Sequence, residues 1–462
     1  ISVRSGLKKL CSLFERIDSG LVKLDELLEN GNVIRSPFSK FDFSFTIGFG
    51  IGLFERLQIP ANRRPCRLRE MPDNYGLLDP TPYTLAQTDI LIQLASASDY
   101  INRWVLHHTL QGGVDNSQKD DENDLDIGTA VGGWAIITDT HSGFQRLDGR
   151  NLMGFNDGVS NPDRLHLDDI VWTNLKDEKN PKLINGTYMV FQKIQHDLDQ
   201  WNLLDVEEQE EWVGRSKGTG LLLGTLSREE DKKLGLELQS NDTVIQKKAF
   251  KKWKKYFSQQ TSPSINFFDV NNSKFKNIQM QCPVWSHVRK VNPRGVDGAP
   301  RIIIFRRGYP YMENGLNGKT LSGLLFICFQ KDIENGFEYI KRKFANNKEF
   351  PIPSLRNFTS HEEAERLKGG RFSLKELETI RSSLRSRQRY GLSNDNDFRE
   401  AMETAQSGGA QNTGRDGLSG PSELGVTPSG EFAAVTPLGG GYYFVPPIPN
   451  RHISDIGEQF FE

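Results

Sequence analysis

The sequence predicts an α+β fold made of two similar halves, each built on an antiparallel sheet. The first observation behind this prediction is a short apolar strand followed by an amphipathic helix, a unit that occurs twice along the chain. The second is that each unit has one further strand before it and two more after it. Because strand–helix pairs also recur by chance, the duplication depends on this shared order of elements.

In the first half, the strand–helix unit consists of a strand at residues 88–95 and a helix at 98–110. Ile101, Trp104 and Val105 follow the three- and four-residue spacing of one helical face. The flanking strands are predicted at residues 41–49, 131–139 and 188–193.

In the second half, the same unit consists of a strand at residues 322–330 and a helix at 333–344. Ile333, Phe337 and Ile340 lie at helical spacing. The flanking strands are predicted at residues 301–307, 431–437 and 441–445.

These elements divide the chain into an N-terminal extension at 1–40, a first half at 41–260 and a second half at 261–462. A charged insertion at 228–257 interrupts the first half, and a Gly- and Ser-rich flexible loop at 407–430 precedes the last strands. The insertion ends in a basic amphipathic helix in which Phe250, Trp253 and Phe257 share a face. We expect this face to dock on the protein's own core, in preference to a membrane or a partner.

Composition excludes several classes of protein. Lys and Arg number 58 against 60 Asp and Glu, so the net charge of −2 argues against nucleic acid as the main partner. Four cysteines without a CxxC pair make a disulfide framework or zinc ribbon unexpected. The longest apolar run, residues 324–329, is too short to span a bilayer, and no signal sequence is visible. We therefore expect no membrane partner and a cytoplasmic location, although a trimmed export signal stays open because no Met begins the chain.

Common catalytic motifs do not explain the sequence. It has no GxxxxGK[ST] phosphate loop and no HExxH zinc motif. One GxSxG occurs at residues 214–218, but an acidic stretch precedes it instead of an apolar strand. We interpret this segment as a polar turn.

His287 lies in unusual surroundings. Arg289, Lys290 and Arg294 follow it, and prolines on both sides of the segment indicate irregular backbone. An imidazole beside several cations suits an axial ligand of haem, whose propionates need basic partners. From these residues alone a phosphate site or a surface loop is the more common explanation.

Two other segments present charged groups in defined settings. Gly154 and Gly158 bracket Asp157, so the backbone can bend and bring one carboxylate close to a bulky ligand, although a simple turn fits as well. Arg306 and Arg307 end a strongly apolar strand, where an arginine is either a surface cap or a buried electrostatic group.

Taken together, these segments resemble the dye-decolorizing (DyP-type) haem peroxidases. The matching blocks occur in that family's order and cover most of residues 41–447. They are IGFGIGLFERL, GFNDGVSNP, NGTYMVFQKIQHDLDQW, WVGRSKG, CPVWSHVRKVNPR, FRRGYPY, SGLLFICFQ and LGGGYYFVPP. The resemblance implies two ferredoxin-like halves of the dimeric α+β barrel type, with haem in the second half.

The resemblance also implies roles for individual residues. His287 would be the axial ligand of the haem iron, Asp157 the distal acid–base group and Arg306 its electrostatic partner, with Arg307 the less certain neighbour. Further haem contacts would come from residues of the same blocks, namely Gly158, Asn161, Arg289, Leu324 and Phe326. Since no CxxCH motif is present, the haem would be non-covalent haem b.

The implied activity is peroxidase chemistry, in which hydrogen peroxide is reduced and dyes or phenols are oxidised through a ferryl intermediate. Because a carboxylate would shuttle the proton, we expect an acidic optimum. Bulky donors would need a surface relay, for which Trp285 is a candidate, although core filling is the more common role for a tryptophan. The alternatives are removal of iron from haem or simple haem carriage. Assembly of the chain into a homo-oligomer is left open.

Overall fold

We describe a computed structural model of the chain. It describes residues 2–21, 23–27, 33–72, 85–107, 133–261, 276–282, 286–292, 302–315, 318–345, 435–448 and 452–461. The flexible loop predicted at 407–430 lies outside these residues, as does Trp285.

The strands form two sheets. They are β1 (Lys23–Leu27), β2 (Val33–Pro37), β3 (Ser44–Gly50), β4 (Ile90–Ala95), β5 (Thr187–His196), β6 (Phe305–Asn314), β7 (Thr320–Gln330) and β8 (Val435–Val445). β1 and β2 make a two-stranded ladder, and the other six form one sheet in the order β4-β3-β8-β5-β7-β6. Every pair of neighbours is antiparallel.

The helices surround this sheet. They are α1 (Val3–Asp18), α2 (Ile51–Arg56), α3 (Asp99–Val105), α4 (Leu167–Ile170), α5 (Leu198–Trp201), α6 (Val206–Val213), α7 (Arg228–Leu238), α8 (Thr243–Thr261), α9 (Lys276–Gln281), α10 (His287–Val291) and α11 (Phe337–Tyr339). A π-helical segment, Ile340–Ala345, continues α11. Among these helices none is long and apolar enough to cross a membrane.

The α+β fold with antiparallel strands is confirmed, and the six-stranded sheet takes strands from both predicted halves. β8, from the second half, lies between β3 and β5 of the first half. The boundaries predicted at residues 40 and 260 stay predictions.

One predicted strand is wrong. Residues 133–139 of the segment 131–139 run as a loop without strand pairing. Trp134, Ala135 and Ile137 are nevertheless partly buried against the main core. The apolar pattern there reflects a loop packed on a core, since side chains can be buried without a ladder of backbone hydrogen bonds.

The strands and helix of the second half also differ in extent from the prediction. β6 begins at Phe305 and continues through Pro310, which an edge strand tolerates because one side of its backbone has no ladder partner. The two strands predicted at 431–437 and 441–445 are one strand, β8, over its described part. Gly440 permits this continuity, because a side chain there would overlap the carbonyl oxygen of Phe191. The helix predicted at 333–344 shortens to α11 and the π-helical segment.

The N-terminal extension is part of the main core. One face of α1 is buried, and its side chains join the largest apolar cluster together with Phe49, Phe54 and Phe460. Arg4 bonds Glu458, and the Cys11 thiol donates to the carbonyl of Ile456 at 3.6 Å. The two ends of the described chain therefore pack together.

The insertion forms a helical hairpin, and the expected docking of its basic helix holds for Trp253 and Phe257, whereas Phe250 is 53% exposed. Ala249 joins Leu221 and Leu234 in a small buried cluster, and Trp253 packs against it. The Trp253 indole also donates to the carbonyl of Thr219 at 2.8 Å. All four cysteines are free thiols.

Candidate active site

The loop that carries Asp157 is a compact turn with two left-handed glycines. Gly154 has φ +90° and Gly158 has φ +71°, a backbone region that favours glycine. The Asp157 amide donates to the Gly149 carbonyl at 3.2 Å, and the Gly158 amide donates to Asp157 Oδ1 at 2.7 Å. These bonds fix the carboxylate at an exposed position on the turn.

Two arginines anchor this loop to the segment predicted as a polar turn. The Arg150 guanidinium donates to the carbonyls of Gly154 at 2.7 Å, Gly218 at 3.3 Å and Lys217. The buried Arg215 donates to Ser160 Oγ at 2.7 Å, at the other end of the loop. Asp157 thus lies between two points at which the loop is tied down.

Arg215 is itself held by uncharged oxygens. Its guanidinium donates to the Gly220 carbonyl at 2.8 Å and to Gln260 Oε1 at 2.9 Å, as well as to Ser160. Burial, with a smaller contribution from Arg306, lowers the pKa of Arg215 to about 10. Since Gln260 belongs to α8, the inserted helix takes part in holding the Asp157 loop.

Asn161 joins the loop to the edge strand β6. Its Oδ1 accepts from the Arg306 amide at 3.0 Å, and its Nδ2 donates to the Arg306 carbonyl at 2.7 Å. The side-chain amide therefore pairs with the backbone of Arg306 as a neighbouring strand would. The contact with a cofactor expected for Asn161 stays a prediction.

The register of β6 separates the two arginines predicted for the site. Arg306 lies opposite Cys328 on β7, Gly308 opposite Phe326 and Pro310 opposite Leu324. Because successive side chains of a strand point to opposite faces, Arg306 shares a face with Phe326 and Leu324. Arg307 lies on the other face, exposed, with its guanidinium 6.0 Å from the Tyr309 ring centre.

Gly308 lets the Asp157 carboxylate approach the sheet. A Cβ atom at Gly308 would lie 2.6 Å from Asp157 Oδ2 and 3.1 Å from Leu324 Cδ1. The carboxylate consequently lies over Gly308, on the face that carries Arg306 and Leu324. One wall of the site is therefore a carboxylate, a guanidinium and an apolar surface on adjacent strands.

His287 is the first residue of α10, which packs on the turn after α6. A side chain at Gly214 would overlap Val288 and come within 2.5 Å of Ser286 Oγ, so glycine is needed for the helix to approach. The Cys282 thiol donates to the Gly214 carbonyl at 3.4 Å and holds the same turn. His287 Nδ1 is buried, and within the described part of the chain it has no hydrogen-bond partner.

Cations surround His287 among the residues that the structure describes. Burial, followed by the charges of Arg306, Lys341 and Arg215, lowers the pKa of His287 to about 3. Lys341 is buried on the π-helical segment, with its ammonium 5.9 Å from the Phe337 ring centre. The imidazole is therefore neutral at ordinary pH, in a pocket of positive potential suited to an anionic group.

Comparison with known proteins agrees with this geometry. The family model for the C-terminal region of Dyp-type peroxidases matches residues 148–365, which include Asp157, His287 and Arg306. The chain resembles the DyP-type peroxidase family over this region, which is a little under half of its 462 residues. The fold expectation is met too: a DyP-type peroxidase from Cellulomonas bogoriensis superposes with a TM-score of 0.55 at 17% identity, over 99% of this chain and 89% of that one.

The curated proteins that are similar to this chain have a different name from the solved structure. The Deferrochelatase of Escherichia coli O157:H7 is 28% identical over 197 residues, which are 42% of this chain and 37% of the relative. The Deferrochelatase of Escherichia coli strain K12 is 27% identical over the same length. The matches thus span little more than a third of these relatives.

The structure brings together most of the site residues predicted from sequence. Asp157, Gly158, Asn161 and Arg306 converge through hydrogen bonds and close contacts, and Leu324 and Phe326 lie on the same face as Arg306. The backbone of Arg289 lies in α10, one turn of helix that His287 begins. Nothing is described of the Arg289 side chain.

Sequence reasoning missed several residues that shape the site. Arg150, Arg215, Gly308 and Lys341 had no role in the prediction, although Arg215 lies in the WVGRSKG block and Gly308 follows the two arginines. The sequence signal for Gly308 is that a glycine directly follows Arg307 at the end of the predicted strand. Nothing in the local sequence marks Lys341, because its position depends on the packing of the π-helical segment near α10.

Proposed function

We propose that this chain is a haem peroxidase that reduces hydrogen peroxide, with haem b held non-covalently and His287 as the residue that would hold its iron. The observation that carries the proposal is the Asp157 carboxylate lying over Gly308, on the sheet face that carries Arg306. Haem carriage alone needs neither a proton acceptor nor a fixed cation at such a place.

The residues present fit a haem. A metal-binding histidine must be neutral, and the lowered pKa of His287 keeps it so. Arg215 and Lys341, two of the cations near His287, would complement the negative propionates, and Leu324 and Phe326 would offer an apolar surface to the macrocycle. Bound haem would supply the iron that activates the peroxide.

Each residue then has a defined task. The Asp157 carboxylate accepts the proton of bound peroxide and returns it to the departing oxygen, since a carboxylate can hold that proton between the two positions. The Arg306 guanidinium keeps its proton and stabilises the negative charge that develops on the departing hydroxide. Gly308 and Asn161 hold these two groups on one face of the sheet.

Aromatic dyes and phenols are the electron donors that we propose, as the family resemblance implies. The chemistry of the site is compatible with such donors, because an apolar wall beside fixed cations suits sulfonated or phenolic aromatics. The homo-oligomer, the cytoplasmic location and a relay through Trp285 stay predictions, the last because Trp285 lies outside the described residues.

The two adjacent arginines provide the test of this proposal. In haem-loaded protein, Arg306→Gln should lower kcat/KM for hydrogen peroxide by about 100-fold or more, as loss of a fixed charge at a developing anion does. Arg307→Gln removes the same charge from the opposite face and should change this value by less than threefold. Equal effects of the two substitutions would contradict the assignment of Arg306.

A second candidate function is removal of iron from haem, which the name of the curated relatives favours. The same pocket would then bind haem and leave a metal-free porphyrin. Incubating haem-loaded protein with a reductant and recording porphyrin fluorescence distinguishes the two functions. Growth of that fluorescence in the absence of peroxide turnover would favour the second.

A further inference from the structure

We propose that the hairpin of α7 and α8 is a docking surface for a lipid bilayer that contains anionic phospholipids. The inference does not depend on the proposed haem chemistry. It goes beyond the expectation from sequence, in which the basic helix only docked on the core and no membrane partner was expected.

The outward face of α8 is uniformly basic. Six lysines occupy positions 247, 248, 251, 252, 254 and 255, and all are exposed. The helix Thr243–Thr261 contains no acidic residue and no arginine. With a rise of about 1.5 Å per residue, the lysines from position 247 to position 255 form a basic strip roughly 12 Å long.

Apolar side chains border this strip and remain accessible. Phe250 is 53% exposed, although it stacks on Trp253 with ring centres 5.6 Å apart. At the tip of the hairpin, Leu236 is 65%, Val244 58% and Ile245 43% exposed. Because these side chains are only partly buried in the protein, their transfer into an apolar medium would be favourable.

The combination favours a lipid surface over other polyanions. Lysine stems can lie along the acyl boundary while their ammonium groups meet phosphate headgroups, and neighbouring apolar residues insert between the lipids. A nucleic-acid site would be expected to use arginine for bidentate phosphate contacts, and α8 has none. An acidic protein segment would not need the exposed apolar tip.

The charge of the hairpin contrasts with that of the chain. Residues 228–261 contain nine basic and five acidic side chains, whereas the whole chain has a net charge of −2. The acidic residues lie mainly on α7, where Glu229, Glu230 and Asp231 form its first turn. The positive field is therefore directed outward from α8.

Sedimentation with vesicles tests this docking surface. The 462-residue chain is mixed with vesicles of phosphatidylcholine alone or with 30 mol% phosphatidylserine, the latter composition being about the upper range of anionic lipid in natural leaflets. We expect binding to the anionic vesicles only, and release in 1 M salt, where the screening length falls to about 3 Å.

Matched variants separate this surface from general charge. Each lysine close to an anionic bilayer strengthens binding roughly fivefold, so replacing Lys247, Lys251, Lys254 and Lys255 by Gln should weaken it about 100-fold or more. Replacing four exposed lysines elsewhere, Lys9, Lys176, Lys179 and Lys319, by Gln removes the same charge and should leave binding within threefold. The Leu236→Ser, Val244→Ser double variant should weaken it at constant charge.

Three results would overturn the proposal. The first is no binding to the anionic vesicles, and the second is equal weakening by the two lysine variants. The third is binding of single-stranded RNA or poly-glutamate more tightly than the vesicles with no effect of the apolar variant, which would identify a general polyanion site. Retained circular dichroism and an unchanged urea midpoint in each variant exclude misfolding as the cause.

Discussion

At the scale of single residues, the site depends on where a carboxylate can fit. Asp157 reaches the sheet only because Gly308 has no side chain, and Arg306 faces it only because strand alternation turns Arg307 away. The sequence motif predicted Asp157 and Arg306 as a pair and left Arg307 open. The strand register shows that Arg306, and not Arg307, lies on the face near Asp157. This register follows from the pairing of β6 with β7, which no local motif encodes.

Replacing Gly308 by Ala should move the Asp157 carboxylate. The added methyl would lie within 2.6 Å of Asp157 Oδ2, so the carboxylate must shift by several tenths of an ångström or more. We expect kcat/KM for peroxide to fall about tenfold or more, because proton transfer needs a positioned group. Steady-state kinetics check this, with Met312→Ala, an exposed position on the same strand, as the control.

An unchanged rate in Gly308→Ala, with the folded content preserved, would show that the carboxylate does not act from this position. A fall in haem affinity alone, measured from the Soret band, would instead indicate that Gly308 makes room for the cofactor.

At the scale of elements, the Asp157 loop is held by side chains from distant segments. Arg150 and Arg215 bind its two ends, and Asn161 extends the sheet edge by pairing with Arg306. The sequence predicted β5, β7 and α8 because their apolar periodicity is strong. It failed at residues 133–139, where apolar side chains pack as a loop, and it could not reveal Arg215, whose partners are remote in sequence.

Replacing Asn161 by Leu should loosen the edge strand. The substitution removes the side-chain oxygen and nitrogen of Asn161 that pair with the amide and carbonyl of Arg306. We expect the free energy of unfolding to fall by about 1–3 kcal/mol, the usual penalty for unpaired backbone groups. Urea denaturation measures the change. The exposed Asn202→Leu substitution, outside the site, serves as the control and should have a much smaller effect.

Arg215→Lys tests the coupling between the inserted helix and the loop. Lysine keeps the charge and loses the planar fork that joins Ser160, Gly220 and Gln260. We expect kcat for peroxide to fall with a smaller change in KM, because the loop carrying Asp157 loses an anchor. If Gln260→Ala, which removes the α8 contact, leaves kcat unchanged while Arg215→Lys lowers it, Arg215 acts through Ser160 and Gly220 and not through α8.

At the scale of the whole molecule, buried histidines make the fold sensitive to acid. Burial lowers the pKa of His196, at the end of β5, to about 4. An unfolded histidine titrates near pH 6.5, so between pH 6.5 and 4 the unfolded chain binds the additional proton. The folded state is therefore destabilised as the pH falls through this window.

We expect the unfolding free energy of the haem-free protein to decrease between pH 7 and pH 4. His196 accounts for up to about 3 kcal/mol of this decrease, from a shift of its pKa by between two and three units. Urea titrations at several pH values, compared with His196→Gln, isolate its share. Parallel curves for the two proteins would show that His196 does not contribute.

The composition of the molecule predicted which classes of protein are excluded, but it did not predict the activity. Near-neutral net charge conceals a cationic pocket around His287 and a basic hairpin, because acidic residues elsewhere offset both. The duplication predicted from strand order appears as one shared sheet, which brings Asp157 from the first half to Arg306 of the second. Only tertiary packing places them within reach of each other.

The most direct test of the account is the rate at which peroxide changes the Soret band of the haem-loaded protein. We expect Asp157→Asn, which keeps the size and loses the proton acceptor, to slow this change by about 100-fold or more at unchanged haem affinity. A rate within threefold of the parent protein across pH 4 to 8 would contradict the central claim that Asp157 moves the proton of the peroxide.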